Sequence, residues 1–301
     1  MSVGKEQFET VGDGLLVLAP AKINLSLLIA GRRGDGFHEI ETVMAKVNFF
    51  DELFIQEGQK AGTEVVSKGP YWAPQGKENL IYRACEMLLA GYGTKANIKI
   101  TLTKNIPAGS GLGSASSDAA AALLGLNKFL KLPVDRKLLG KMAAALGSDV
   151  SFFLGGPLAF CTGKGEKIKK LEKKFDFSAL LLLPNVSVST KKVYANYRHD
   201  SALYNKLNIQ IKAHLEKNRI DLVSKMCANM LQTTCFGLYR ELYVLKNGVE
   251  FLGIRPLCLS GSGSAMFYIF GKGDEKRISE YQYKLEEEVS CKSIIVSNNR
   301  W

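Results

Sequence analysis

The chain has 301 residues, 46% hydrophobic and 23% charged, which suits a folded protein with room for two domains and a sizeable core. Its formal net charge of +11 admits a nucleic acid, a membrane surface or an anionic small substrate as partner. No apolar run reaches the ~20 residues of a membrane span, and the N-terminal MSVGKEQFETVGDGLL resembles neither a signal nor a transit peptide. Six cysteines (Cys85, Cys161, Cys227, Cys235, Cys258, Cys291) lack C-x-x-C spacing and sit beside only three histidines, so no zinc signature exists. Cysteines scattered in this way suit a reducing cytoplasm.

Two short apolar runs flank APAK within Leu15–Ile29. After Pro20, alternation places Lys22 and Asn24 together on one side of a strand. Lys22 either meets an anion there or lies solvated on an edge strand. A tight, charged connection, Gly31–His38, leads to a second strand region, Ile40–Ile55, broken near Phe50-Asp51. Residues 56–78 are rich in glycine and proline and read as a hairpin or a lid. Asn79 caps a helix with Leu80, Ala84, Met87 and Leu88 on its face.

Ile98, Ile100 and Leu102 then mark a half-buried strand. Gly109, Gly111 and Gly113 follow at alternate positions, with Ser110, Ser114, Ser116 and Ser117 among them, before a helical run to Phe129. A glycine loop entering a helix brings backbone N–H groups and the positive dipole end to one point, a cradle for phosphate. The alternative is a turn that only caps a buried helix. No G-x-x-x-x-G-K-[ST] occurs, and the next segment is another helix, starting at Asp135 and ending at Gly147, so neither a Walker loop nor a βαβ unit fits. Asp149 lies between that helix and the apolar Val150–Phe153. It either turns the chain or faces Lys22 and a substrate hydroxyl.

The basic run Gly163–Phe175 alternates with glutamates and reads as a solvated hairpin rather than a binding stripe. It lacks interleaved aromatics, which disfavours nucleic acid. Beyond residue 160 the order is strand (Ala179–Leu183), helices (201–252), two short strands joined by GSGS, a helix (Asp274–Val289) and a last strand (Lys292–Ser297). That is the β-α-β-β-α-β plan of a ferredoxin-like unit with an enlarged first helical segment. Gly261-Ser262-Gly263 is either a plain hairpin turn or a second ligand contact.

APAKINL (Ala19–Leu25), PAGSGLGSASSDAAAAL (Pro107–Leu123) and LSGSGSAMF (Leu259–Phe267) together resemble the three signature motifs of the GHMP small-molecule kinases. GRRGDGFHEIETV, ENLIYRA and GSDVSFFLGGP look most like the branch that phosphorylates the 2-hydroxyl of 4-diphosphocytidyl-2-C-methyl-D-erythritol in the non-mevalonate isoprenoid route. The resemblance implies an α+β fold in two domains. Residues 1–160 would form an N-terminal unit like ribosomal protein S5 domain 2, and 161–301 the ferredoxin-like unit completing the cleft. It implies ATP with Mg²⁺, a small-molecule acceptor, no nucleic acid or membrane partner, and a monomer or weak homodimer. Lys22 and Asp149 fall on the catalytic pair. Asn24, Phe37, His38, Thr190, Tyr194 and the turn Gly261, Ser262 and Gly263 fall on substrate positions, His38 reading the cytosine edge and Tyr194 stacking on it from a loop. Asn79 falls near adenine, and Pro107, Ala108, Gly109, Ser110, Gly111, Leu112, Gly113, Ser114, Ser116 and Ser117 on the triphosphate loop. Four positions depart from the pattern: Phe37 replaces a tyrosine, Ala115 a glycine, Asp118 puts a negative charge near the triphosphate, and Ala265 ends the glycine hairpin where the family often has proline or threonine.

Overall fold

The structure, a computed structural model, describes residues 5–172, 175–271 and 274–301. Lys173 and Lys174 of the basic run, and residues 1–4, lie outside the described residues.

The first sheet contains β1 (Phe8–Val11), β2 (Gly14–Arg32), β3 (His38–Glu57), β4 (Thr63–Lys68), β5 (Ile98–Thr103), β6 (Leu158–Gly163) and β7 (Lys167–Lys170). Its order is β1-β2-β3-β5-β4, with β6 pairing the first half of β3 and β7 pairing β6. β2 and β3 form one long antiparallel ribbon. Its register shifts between Pro20 and Ala21, where Asn48 and Phe49 bulge, close to the expected break at Phe50-Asp51. Residues 63–68 are neither a hairpin nor a lid: β4 pairs in parallel with β5, setting Val65 beside Ile100. The β-branched residues of TEVVSK fit a strand there, and α1 covers it.

Four helices belong with this sheet: α1 (Leu80–Gly91), α2 (Ser114–Phe129), α3 (Arg136–Leu146) and α4 (Val150–Phe153). The Asn79 side chain caps α1 by accepting from the Ile81 N–H, and Asp135 caps α3 by accepting from the Leu138 N–H. The α1 face that faces the core is Ile81, Ala84, Cys85, Leu88 and Leu89, one position round from the expected stripe at its start.

The second sheet contains β8 (Ser178–Leu183), β9 (Cys258–Leu259), β10 (Met266–Phe270) and β11 (Lys292–Ser297), all antiparallel in the order β11-β8-β10-β9. That is the strand order of a ferredoxin-like sheet. Five helices fill the first crossover: α5 (Thr190–Asn196), α6 (Ser201–Glu216), α7 (Ile220–Lys225), α8 (Gln232–Leu238) and α9 (Arg240–Phe251); α10 (Glu275–Val289) forms the second. One apolar cluster joins Ala21, Ile23 and Leu25 of β2 to Ala179 and Leu181 of β8 and Phe267 of β10, so the two sheets share core. Cys227 and Cys258, expected as thiols, lie with Cα atoms 5.0 Å apart and form a disulfide; the Asn229 side chain, bonded to the Leu259 and Gly261 carbonyls, draws their two segments together. Cys85, Cys161, Cys235 and Cys291 are free and buried.

A buried ionic cluster lies under the glycine loop. The Lys104 ammonium donates to Asp51, to Ser114 Oγ and, at 2.7 Å, to Asp118 Oδ2. Asp51 Oδ1 also accepts from the N–H groups of Asn105 (2.6 Å) and Ile106 (2.8 Å), which pins the segment entering the loop. Asp118 therefore points into the core and not, as the resemblance implied, toward a ligand at the glycine loop. Burial pushes its carboxyl up to about 8, against the pull of Lys104. Because that lies above the ordinary carboxylate range, the folded form holds a proton the unfolded chain gives up, and stability falls as pH rises from that range toward about 8.

Asp118→Asn mimics the protonated acid, and chemical denaturation followed across that pH window should show a flatter dependence than wild type. Lys104→Met leaves the buried Asp51 and Asp118 without their cation and should lose roughly 3–5 kcal/mol at neutral pH by the same measurement.

Candidate active site

A cleft of 960 Å³ is walled by Lys22 and Asn24 of β2, the glycine loop, Asp149, the start of β3 and α5. Beside Lys22 β2 is paired with β3 alone, since β1 reaches only Gly14–Val17, but the glycine loop covers the open side, the Lys22 N–H donating to the Leu112 carbonyl at 2.9 Å, and Lys22 is 4% exposed rather than solvated. Its ammonium donates to Asn24 Oδ1 (2.5 Å) and to the Gly111 carbonyl (2.9 Å), and stands 3.6 Å from Asp149 Oδ2. Burial lowers its pKa, and the Asp149 charge pulls it back up. Asn24 is fixed in turn, its Nδ2 donating to Thr42 Oγ1 at 2.8 Å.

Asp149 occupies the N-cap position of α4, but its side chain makes no capping bond and remains 30% exposed. A carboxylate held beside a buried ammonium and open to the cleft can accept a proton from a bound hydroxyl.

The loop reaches α2 through Gly113, whose φ of 71° is left-handed and which supplies no side-chain cap. The first-turn N–H groups of α2 are therefore left for a ligand. Gly111, at φ 77°, lies against the hairpin between β9 and β10. The Ala265 N–H donates to the Ser110 carbonyl (2.9 Å), and Ser260 Oγ donates to the Gly111 carbonyl (3.0 Å) while accepting from the Asn24 N–H (3.3 Å). Gly261-Ser262-Gly263 is thus more than a free turn: it is docked on the loop.

At the other end of the cleft, the His38 and Tyr194 rings lie 5.3 Å apart and Tyr197 meets His38 edge-on at 5.9 Å. Residues 190–196 form the helix α5, not a loop, because the Ser189 side chain caps it by accepting from the Lys192 N–H. The Thr190 and Ser262 hydroxyls are 2.8 Å apart, joining α5 to the glycine hairpin. Phe37 is 53% exposed on the cleft rim.

Of the residues singled out from the sequence, Lys22, Asn24, Phe37, His38, Asp149, Thr190, Tyr194, Gly261 and Ser262 line this cleft, as do Pro107, Ala108, Gly109, Ser110, Gly111, Gly113, Ser114 and Ser116. Four others stand back from its wall. Asn79 is buried with both amide ends committed, Oδ1 to the Ile81 N–H and Nδ2 to the Pro74 carbonyl. Leu112 packs in the core while its carbonyl accepts from the Lys22 N–H. Ser117 is buried, its Oγ without a partner. Gly263 closes the hairpin through its N–H to the Ser260 carbonyl.

Sequence reasoning missed Thr42, Ser260, Arg32, Lys164 and Tyr197. Lys164 belongs to the basic run, which does form a β6–β7 hairpin; yet its ammonium turns into the cleft, 4.6 Å from the Phe37 ring centre. Its place in the hairpin turn, outside the alternation with glutamate, was the available signal.

The sheet order and this cleft define a class, the GHMP kinases. The sequence model for the GHMP kinases N terminal domain matches residues 79–157. A homoserine kinase from Cytophaga hutchinsonii superposes with a TM-score of 0.75 at 20% identity, covering 98% of both chains, a likeness of fold. A crystal structure of a 4-(cytidine 5'-diphospho)-2C-methyl-D-erythritol kinase superposes with a TM-score of 0.72 at 32% identity, covering 95% of this chain and all of the other. The 4-diphosphocytidyl-2-C-methyl-D-erythritol kinase of Syntrophomonas wolfei is 34% identical over 275 residues, 91% of this chain and 96% of its own. That of Bacillus subtilis is 35% identical over 256 residues, 84% of this chain and 87% of its own. The chain belongs to the 4-diphosphocytidyl-2-C-methyl-D-erythritol kinase family.

A β-carbon at Gly111 would overlap the Ser260 carbonyl oxygen, a backbone atom that cannot step aside. Gly111→Ala should lose about 1–3 kcal/mol from the left-handed conformation alone, and more from the clash, read by denaturant unfolding.

Proposed function

We propose that the chain transfers the γ-phosphoryl group of ATP to the 2-hydroxyl of 4-diphosphocytidyl-2-C-methyl-D-erythritol. The observation that carries this reading is the Lys22–Asp149 pair, 3.6 Å apart, set in one cleft between an uncapped helix N-terminus and a His38–Tyr194 ring pair. The loop and helix end suit a triphosphate, and the ring pair suits a cytosine.

The chemistry asks chiefly for placement and charge. Asp149 takes the hydroxyl proton as the alkoxide oxygen bonds to the γ-phosphorus, and the bond from that phosphorus to the bridging β–γ oxygen breaks, releasing ADP. A carboxylate is a weak base toward an alcohol, but in a loose transition state the proton moves late and orientation matters more. Lys22, held by Asn24 and the Gly111 carbonyl, lies where charge builds on the transferring group. His38 would hydrogen-bond the cytosine edge, with Phe37 and Tyr194 offering its stacking faces. The +11 net charge suits two phosphate-bearing substrates.

Mg²⁺ would arrive with ATP and neutralise phosphate charge. The described residues contain no group of three carboxylate, histidine or cysteine side chains that could hold a metal. Phosphate oxygens and water would therefore supply most of its ligands, with Asp149 and the unpartnered Ser117 Oγ as the protein's candidates. Two domains would meet at the cleft, with their boundary beyond the expected residue 160, since β6 and β7, reaching Lys170, pair within the first sheet. No helix among the described residues is long and apolar enough to cross a membrane; we place the enzyme in the cytoplasm, as a monomer or weak homodimer.

A coupled ADP-release assay should show turnover with the diphosphocytidyl alcohol and not with mevalonate, homoserine or a free sugar. Release with one of those, and none with the diphosphocytidyl compound, sinks the assignment. Asp149→Asn and Lys22→Ala should each lower kcat on the order of 100-fold or more. His38→Ala should raise KM for the cytidyl substrate about two- to tenfold, the worth of one hydrogen bond, and leave KM for ATP unchanged.

A further inference from the structure

Lys46 is 1% exposed and pairs directly opposite Lys22 in the β2–β3 ladder. Directly opposed strand residues project from the same face. Two lysines so placed repel each other, and burying either is costly. Lys22 has a carboxylate partner in Asp149; Lys46 has none, its ammonium donating instead to the carbonyls of Phe153 (3.1 Å) and Gly155 (2.8 Å). Its rings of contact are Phe152 and Trp301, with the ammonium 6.0 and 5.9 Å from their centres. Its main chain holds the same segment, the Lys46 N–H donating to the Pro157 carbonyl at 2.8 Å.

The two carbonyls lie at the exit of α4, Phe153 being its last residue and Gly155 the one after its C-cap, and its N-cap residue is Asp149. A cation at a helix C-terminus meets orphaned carbonyls and the negative end of the dipole. The paired lysines thus grip the two ends of one four-residue helix, Lys22 at the Asp149 carboxylate and Lys46 at the exit. We propose that Lys46 is a positioning residue for phosphoryl transfer, acting through α4 to hold the Asp149 carboxylate beside Lys22. Burial alone pushes the Lys46 ammonium down to about 7, yet the neutral amine keeps two N–H donors for the two carbonyls. The inference rests on the reading of Asp149 as the proton acceptor.

A double-mutant cycle separates the two. Lys46→Met, shown to be folded by denaturant unfolding, should lose kcat on the order of tenfold to a hundredfold, the cost of a small misplacement of a reacting group, with KM for ATP and for the cytidyl substrate unchanged. Lys46→Gln, which retains an amide donor, should recover part of that loss, and it serves as the test if the methionine variant does not fold. In an Asp149→Asn background Lys46→Met should lower the residual turnover no further, because its effect passes through the missing carboxylate. Wild-type kcat in Lys46→Met, or the same factor lost in both backgrounds, overturns the positioning role while leaving Asp149 in place. Full turnover in Asp149→Asn alone overturns the reading of Asp149, and the role of Lys46 with it.

Discussion

The buried ammonium of Lys22 is the contact on which the cleft depends. Removing a lysine from water is costly unless acceptors surround it, and here they come from three parts of the chain: Asn24 on the same strand, the Gly111 carbonyl in the loop, and Asp149 at the head of α4. Each acceptor is itself held. Asn24 is fixed by Thr42, and Gly111 also accepts from Ser260. The charge we propose for phosphoryl transfer is thereby also the tie that assembles the parts.

A second buried cation, Lys104, works one layer below. It joins Asp51 of β3 to Ser114 and Asp118, the first and fifth residues of α2. The loop between these anchors can be made of glycine and serine, with its N–H groups turned toward a ligand, because its two ends are bound by ionic contacts rather than by its own side chains.

Much of this was legible in the sequence, for physical reasons. Period-two alternation in β2 placed Lys22 and Asn24 on one face, and capping chemistry located α1 and α3 from Asn79 and Asp135. The β-α-β-β-α-β order of the second sheet followed from strand composition and spacing. What stayed hidden depended on contacts between distant segments. That Asp118 turns inward to Lys104 is decided by helix rotation, which spacing does not fix. The strand at Thr63–Lys68 was masked by surrounding glycines and prolines, and its parallel partner lies some thirty residues on. The helix carrying Tyr194 is seven residues long, too short for a periodic signal. Lys46 carries no signal of its own in the sequence, because its pairing opposite Lys22 is set by the β2–β3 register.

The docking of the glycine hairpin on the phosphate loop has a thermodynamic consequence. The Ala265–Ser110 and Ser260–Gly111 hydrogen bonds join the second sheet to the very backbone that would receive a nucleotide, and the cluster of Ile23, Leu181 and Phe267 runs beneath. Separating the sheets would break the cradle, and a ligand seated in the cradle would oppose that separation. Nucleotide affinity and the cohesion of the two sheets are therefore linked functions, each raising the other by the same free energy.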